Sequence, residues 1–238
     1  MNREYHRWWS KDLSREMELL VFGHDGVPVV VFPVAGGRFY DFEDRGMVKA
    51  LGEKLEHGRL QLFCLDEGEV EGWWSQELAP ELRPRAEVRY ERYVLEDVVP
   101  LIRSKNRRPR LSTAGCAAGG YRAVNLALKH PQLFSSALSM SGIFDLKQAG
   151  LLGGHYEDAS YFNLPLDYLP GAREQAYLEQ LRRSSFVLAA GARDAVRKEN
   201  EALAGVMRSK GIPVRLDLWG EQAESGWPWW QRMVQIYL

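Results

Sequence analysis

The stretch LSTAGCAAGGYRAVNLALKHP, residues 111–131, decides the fold of this chain. Its start is short, apolar and β-branched and predicts a strand over 110–113, while residues 118–129 have the apolar spacing of a helix. Between them lies GCAAGG, a turn of small residues flanked by glycines. A strand, a tight turn and a helix in this order are typical of a nucleophile elbow, because small neighbours let the central side chain stand exposed on a strained turn.

The central position of this turn is occupied by Ala117. In such an elbow the central residue lies at the helix N-terminus, and the backbone N–H of the next residue, here Ala118, helps to form an oxyanion hole. Alanine carries no oxygen or sulfur that could attack a carbonyl. The sequence therefore predicts elbow geometry without its nucleophile.

Strands and helices alternate on both sides of this unit, which predicts the α/β class with an open, mostly parallel sheet flanked by helices. At 238 residues, we expect one domain over 1–238. The predicted strands are 16–22, 27–32, 60–65, 110–113, 137–140, 186–190 and 214–218. The predicted helices are 44–57, 85–104, 118–129, 195–210 and 229–236.

The segment 146–170 breaks this alternation. It is rich in Gly, Pro, Asp and Tyr, has no clear period, and follows the end of a predicted strand, where active-site loops tend to lie. We expect it to form a small cap over a pocket.

Composition excludes several classes of function. The formal net charge is -1 and no apolar run approaches the roughly 20 residues that span a bilayer, so neither nucleic acid nor a membrane is an expected partner. The first residues lack the apolar core of a signal peptide, which predicts a cytoplasmic location. Cys64 and Cys116 lie in apolar segments without metal-ligand spacing, so we expect buried thiols, no metal and no cofactor. The expected partner is a small molecule, and the oligomeric state stays open.

The chain resembles the esterase D-like esterases of the α/β-hydrolase fold over nearly its whole length. The stretches that carry the resemblance are FPVAGGRFYDFEDRGM (32–47), GCAAGGYRAVNLALKHPQLF (115–134), MSGIFDL (140–146), YFNLPLDYLPG (161–171), LAAGARDAVRKENEALAGVMRSKGIPVRLDLWG (188–220) and WPWWQRM (227–233).

The resemblance implies a catalytic triad of which the acid alone is present. The family's elbow has the form G-C-S-x-G, which would place serine at position 117, the acid at Asp194 and the histidine at position 225. This sequence has Ala117 and Ser225 instead. A triad needs a nucleophilic oxygen and an imidazole that takes its proton, so both chemical steps lose their groups.

Further departures from the family fall around the same expected pocket. Val34 and Ala35 replace a Thr-Ser pair beside the oxyanion hole, and Gly226 replaces an aspartate. Glu67, His155 and Arg122 stand where the resemblance implies serine, tyrosine and histidine. Because these differences cluster where a ligand would lie, they favour a rewritten, engineered active site on a natural scaffold over random drift.

Glu67 and His155 are the candidate general bases. Glu67 follows an apolar strand at the sheet edge where ligands bind, but the acidic run 67–71 also fits a solvated loop. His155 lies in the predicted cap, either as a base or as an exposed loop residue.

The other candidates also have more than one interpretation each. Ser225 is a new nucleophile, a replacement without a role, or the N-cap of the Trp-rich helix, and the N-cap is favoured. Asp194 is favoured as the vestigial triad acid over a helix cap. Arg122 on the elbow helix either faces the pocket or pairs with an acid.

Two hypotheses of function follow. The first is a redesigned hydrolase for a small neutral ester-like substrate that uses Glu67, His155 and Ser225. The second is a catalytically silent pseudo-esterase or ligand-binding protein. Both predict a cavity at the C-terminal edge of the sheet, lined by Ala35, Glu67, Ala117, His155 and Ser225.

Overall fold

The computed structural model describes residues 1–67 and 72–238, and within these ranges eight strands form one sheet in the order β1-β2-β4-β3-β5-β6-β7-β8. The pairs β1/β2 and β2/β4 are antiparallel and all other pairs are parallel, which confirms the mostly parallel sheet. The strands are β1 (Arg3–Ser10), β2 (Arg15–Phe22), β3 (Val27–Phe32), β4 (Leu60–Leu65), β5 (Leu111–Cys116), β6 (Phe134–Met140), β7 (Ser185–Gly191) and β8 (Val214–Trp219).

Strand β1 has no counterpart among the predicted strands. It lies at the edge of the sheet, and its residues alternate between exposed and half-buried. Trp9 is 62% exposed there, so the strand has only a narrow apolar face and gives a weak hydrophobic signal. The central strands β4 and β5 are buried along their whole length, as expected for parallel strands with helices on both faces.

Helices cover both faces of the sheet. They are α1 (Asp41–Asp44), α2 (Met47–Ala50), α3 (Gly52–Glu56), α4 (Arg83–Tyr93), α5 (Val99–Lys105), α6 (Ala118–Lys129), α7 (Asp158–Tyr161), α8 (Pro165–Gly171), α9 (Gln175–Arg182), α10 (Arg197–Ser209) and α11 (Trp227–Tyr237). A π-helical turn, Val94–Val98, joins α4 to α5. Across the described residues, no helix is long and apolar enough to cross a membrane.

The predicted helix over 44–57 is wrong, because three short helices occupy this region. Gly46 has a left-handed backbone (φ 74°) and separates α1 from α2, and Leu51 separates α2 from α3. The apolar residues of all three still face the core, so the helical spacing of the sequence reports the buried face and not one continuous helix.

Two glycines allow helix α6 to start directly at the end of β5. A Cβ atom on Gly119 would lie 2.4 Å from the carbonyl oxygen of Phe32 at the end of β3, and one on Gly115 would lie 2.3 Å from the backbone of Gly119. Both distances are much shorter than a van der Waals contact, so neither position can carry a Cβ atom without a shift of the backbone. The glycines of GCAAGG are therefore needed for close packing of α6 against the sheet.

We predict that Gly119→Ala lowers the free energy of unfolding by about 3 kcal/mol or more, because the methyl group forces α6 away from β3. The matched control is Gly205→Ala inside α10, where a Cβ atom meets nothing within 4 Å. This control should be neutral or stabilising by up to about 1 kcal/mol through helix propensity. Urea unfolding measures both, and equal effects at the two positions would contradict the packing argument.

Candidate functional site

Ala117 lies between β5 and α6, at the apex of the elbow turn. Its backbone has φ 49° and ψ -116°, a conformation that non-glycine residues rarely adopt. Its N–H donates to the carbonyl of Met140 on β6 (2.9 Å), and its own carbonyl accepts the N–H of Tyr121 (3.1 Å). The strained geometry of a nucleophile elbow is thus present with a methyl group at its tip.

The backbone N–H that is expected to be the first donor of an oxyanion hole has no acceptor within the described residues. Ala118 is the first residue of α6, and within the part of the chain that the structure describes its N–H has no backbone or side-chain acceptor. An unsatisfied N–H at the start of a 12-residue helix is suited to hold partial negative charge.

The second donor of such a site comes from the loop after β3, which contains Val34 and Ala35. Ala35 is exposed and Val34 is half-buried. The next N–H of the loop, that of Gly36, donates to the carboxylate of Glu67 (Oε2, 2.9 Å). One backbone donor of this loop is therefore used by the protein itself.

Asp194 follows β7 and is buried beside the elbow. Its Oδ2 accepts hydrogen bonds from the hydroxyl of Ser141 (2.6 Å) and the N–H of Gly191 (2.8 Å). Its Oδ1 is buried and has no hydrogen-bond partner among the described residues. The N-cap of α10 is Val196, so the alternative of Asp194 as a helix cap is wrong.

Ser141 links this acid to the elbow and to the C-terminal helix. It directly follows Met140, the acceptor of the Ala117 N–H, and its Oγ accepts a hydrogen bond from Trp230 Nε1 on α11 (3.0 Å). The loop before α11 also contacts the loop after β7, through the N–H of Arg193 and the carbonyl of Ala223 (3.2 Å). The elbow, the acid and the segment that carries Ser225 thus meet at one edge of the sheet.

Ser225 does not cap the C-terminal helix. The N-cap of α11 is Gly226, without any side-chain hydrogen bond, and the carbonyl of Gly226 accepts the N–H groups of Trp229 (3.1 Å) and Trp230 (3.0 Å). Ser225 itself is exposed. The favoured interpretation of Ser225 as an N-cap is therefore wrong, and its hydroxyl points to no described partner.

Glu67 is neither a solvated loop acid nor accessible, since its residue is 0% exposed. It accepts the Gly36 N–H with Oε2, and its Oε1 lies 2.7 Å from Nη1 of Arg122. Burial raises the pKa of Glu67 to about 7, because desolvation of the carboxylate outweighs the nearby Arg122 charge. The acidic run after Glu67 lies outside the described residues.

Arg122 is paired with acids, the second of the two interpretations left open for it. Its side chain is 2% exposed, and it binds Glu87 of α4 through Nε (2.9 Å) and Nη2 (3.1 Å) in addition to Glu67. The guanidinium also lies over the rings of Tyr90 (4.6 Å) and Trp74 (5.4 Å). This buried group joins α6, α4 and the end of β4.

His155 is exposed in the segment between β6 and α7, where its Nε2 lies 3.7 Å from Glu81. It lines a cavity of about 320 Å³ with Lys147, Leu152 and Tyr156, and Ala35, Glu67, Ala117 and Ser225 do not line that cavity. This cavity gives no support to the expected common cavity of the five residues, which stays a prediction. A separate cavity beside the elbow, bounded by Val34, Cys116 and Trp227, has about 10 Å³, room for one water.

Glu87, Ser141 and Trp230 hold the site together, but no sequence pattern indicates this role. Glu87 looks like a surface acid of an amphipathic helix, and Ser141 directly follows a strand. In the structure all three are buried and hydrogen-bonded. In the described ranges, no group of three or more His, Cys, Asp or Glu side chains is arranged to hold a metal.

The raised pKa of Glu67 predicts a pH-dependent stability. The folded protein keeps a proton on this carboxyl above pH 4.5, its ordinary pKa, whereas the unfolded chain releases it. The resulting stabilisation is present below about pH 4.5 and is lost as the pH rises to about 7. A shift of this size corresponds to roughly 3 kcal/mol.

The unaltered protein should lose unfolding free energy between pH 4.5 and pH 8 as Glu67 ionises. We expect the Glu67→Gln variant to lose roughly 3 kcal/mol less over the same pH range. Urea unfolding at both pH values measures this difference. Glu56→Gln changes the same charge at an exposed site and serves as the control. If the stabilities of the two variants change with pH in the same way, the buried acid does not titrate as described.

Several solved structures have the same fold as this chain. A ferulic acid esterase superposes with a TM-score of 0.78 at 17% identity, covering 100% of this chain and 96% of the other. An S-formylglutathione hydrolase from Agrobacterium tumefaciens gives 0.75 at 18% identity, with 99% and 92% covered. MPT51 from Mycobacterium tuberculosis gives 0.72 at 15% identity, with 99% and 96% covered.

Among curated proteins, no sequence matches this chain significantly. The model of the family described as "Putative esterase" matches residues 10–238, which is nearly the whole chain. This match and the α/β sheet with its elbow agree with each other. The chain belongs to this esterase family of the α/β-hydrolase fold.

Proposed function

We propose that this chain is a non-hydrolysing member of the esterase family, which holds a small ester-like ligand at the elbow without cleaving it. The observation that carries this proposal is Ala117 at the apex of an intact elbow turn. The turn presents the side chain that attacks the substrate in such folds, and a methyl group cannot form an acyl-enzyme.

The positions of the alternative catalytic residues argue against a rebuilt hydrolase. Glu67 is sealed under the loop after β3 and paired with Arg122, whereas His155 and Ser225 are exposed. A working nucleophile and base lie within hydrogen-bond reach of each other. In the described part of the chain, no hydrogen bond or ion pair joins Glu67, His155 and Ser225 to one another.

What supports ligand binding is the part of the machinery that needs no nucleophile. The N–H of Ala118 is unsatisfied, the dipole of α6 points at the elbow, and Asp194 keeps its hydrogen bonds to Ser141 and Gly191. An oxyanion hole can hold a carbonyl oxygen whether or not an attacking group is present. The engineered origin of the substitutions stays a prediction, and the proposal does not depend on it.

The unaltered protein should bind phenyl acetate and leave it intact. We expect the amide signals of Ala117 and Ala118 to shift in NMR titrations while acetate is released no faster than in buffer. A fluorophosphonate should label no residue. Labelling at Ser225 that His155→Ala abolishes would overturn the proposal, and so would shifts that avoid the elbow.

Repair of the triad tests the placement of the lost groups. Ala117→Ser alone should add little, because a serine without a general base is a poor nucleophile and triad members act as a unit. Ala117→Ser combined with Ser225→His and Gly226→Asp should raise kcat/KM for p-nitrophenyl acetate by roughly three orders of magnitude or more.

Asp194→Asn in the repaired protein provides the control for the orienting acid. It should lower kcat/KM again by a factor of about 100 or more, because the imidazole loses its orientation and tautomer. A triple variant that is folded, as judged by circular dichroism, but no faster than the starting protein would refute the assignment of positions 117, 194 and 225.

A further inference from the structure

A further cavity lies at the C-terminal end of α6, the end of this helix opposite to the elbow. It has a volume of about 450 Å³, within the range of sites for small organic molecules. Helix α6 has 12 residues and runs from the elbow at Ala118 to the cavity at Lys129. At 1.5 Å per residue the two ends are roughly 17 Å apart, so the cavity is separate from the elbow.

Aromatic rings form the walls of this cavity. Tyr161 comes from α7 and Phe162 directly follows that helix, while Tyr168 comes from α8 and Tyr177 from α9. Phe162 packs edge-on against Tyr161 (ring centroids 5.0 Å apart), but 57% of its surface is exposed. A large apolar side chain left open beside three other rings is suited to stack on a flat aromatic ligand.

The charge around the cavity is positive. Lys129 and Arg173 line it, and Lys210, outside the lining, binds the carbonyl oxygen of the lining residue Ala172 (3.0 Å). Glu174 is the acid in the lining, and Glu91, outside it, pairs with Lys129 and with the imidazole of His130. Two permanent cations of the lining therefore stand against one lining carboxylate, and Arg173 has no ion-pair partner among the described residues.

Two phenol groups add uncommitted donors. The hydroxyls of Tyr161 and Tyr177 form no hydrogen bond within the described residues, whereas that of Tyr168 donates to Asn125 (3.1 Å). Burial raises the pKa of Tyr177 to about 12, so its hydroxyl keeps its proton at neutral pH. Such a group donates a hydrogen bond and favours an acceptor oxygen in the ligand.

We propose that this cavity is a binding site for a small aromatic carboxylate, whose ring stacks on Phe162 and whose carboxylate faces Arg173. A neutral aromatic molecule could stack on the aromatic walls but would not neutralise the excess positive charge. An aromatic amine would be repelled by that positive charge. The site does not depend on the proposed function at the elbow, since none of its residues contributes to the elbow.

Benzoate is the probe, with benzyl alcohol and benzylamine as its neutral and cationic counterparts. We expect ligand-observed NMR to give a dissociation constant on the order of 1 mM for benzoate. Benzyl alcohol should bind about fivefold more weakly and benzylamine more weakly still. Binding of benzylamine as tight as that of benzoate would overturn the assignment of the ligand's charge.

Two variants separate the ring from the carboxylate. Phe162→Ala should weaken benzoate and benzyl alcohol alike, whereas Arg173→Gln should weaken benzoate by about tenfold and leave benzyl alcohol unchanged. Trp9→Ala and Arg107→Gln remove an exposed ring and an exposed cation elsewhere and should change neither ligand. Thermal unfolding shows whether each variant is folded.

Failure of the proposal would be equally visible. Benzoate affinity that is the same in Arg173→Gln as in the unaltered protein would place the ligand elsewhere, the elbow included. The absence of any binding at 20-fold the expected constant, about 20 mM, would also refute it. Arg173 is exposed and forms no hydrogen bond or ion pair among the described residues, so this variant decides the matter even if Phe162→Ala unfolds.

Discussion

The close approach of helix α6 to the end of β3 is the constraint on which the rest of the site depends. Gly119 lies against the carbonyl of Phe32 with no room for a Cβ atom, and Gly115 lies against Gly119. This contact fixes where α6 begins, and therefore fixes the strained backbone of Ala117 and the direction of the Ala118 N–H. The elbow is thus a product of backbone packing, and the side chain at its tip contributes nothing to it.

The acid position is held in the same way by groups that do not react. Ser141 donates to Asp194 and accepts from Trp230, so β6, the loop after β7 and α11 are joined through one hydroxyl. No serine at 117 or histidine at 225 is needed for these bonds. Catalytic side chains often lower stability in exchange for reactivity, so the proposed absence of the serine and histidine is compatible with a stable scaffold.

The parallel sheet and the elbow were predictable because their signals are local: apolar runs, helical spacing and glycines at a tight turn. The partners of Arg122 and Glu67 were not, since buried ion pairs join residues far apart in sequence and an acidic run looks solvated. The sequence could not decide between the two interpretations of His155 for a related reason, because its place in the segment 146–170 does not tell in which direction the side chain faces. Strand β1 was not predicted, because an edge strand buries few apolar side chains and its sequence therefore has only a weak hydrophobic pattern.

The buried Arg122 group bears on function as well as on packing. Removing two carboxylates and a guanidinium from water is costly, and such a group is retained only where hydrogen bonds compensate for it. Here Glu67 accepts a hydrogen bond from the N–H of Gly36. Gly36 lies in the loop that supplies an oxyanion-hole donor in related folds. The chain thus has a methyl group at Ala117 and also commits a loop N–H to its own carboxylate. Under the proposed non-hydrolysing function both features oppose acyl transfer, and neither disturbs the backbone of the elbow turn.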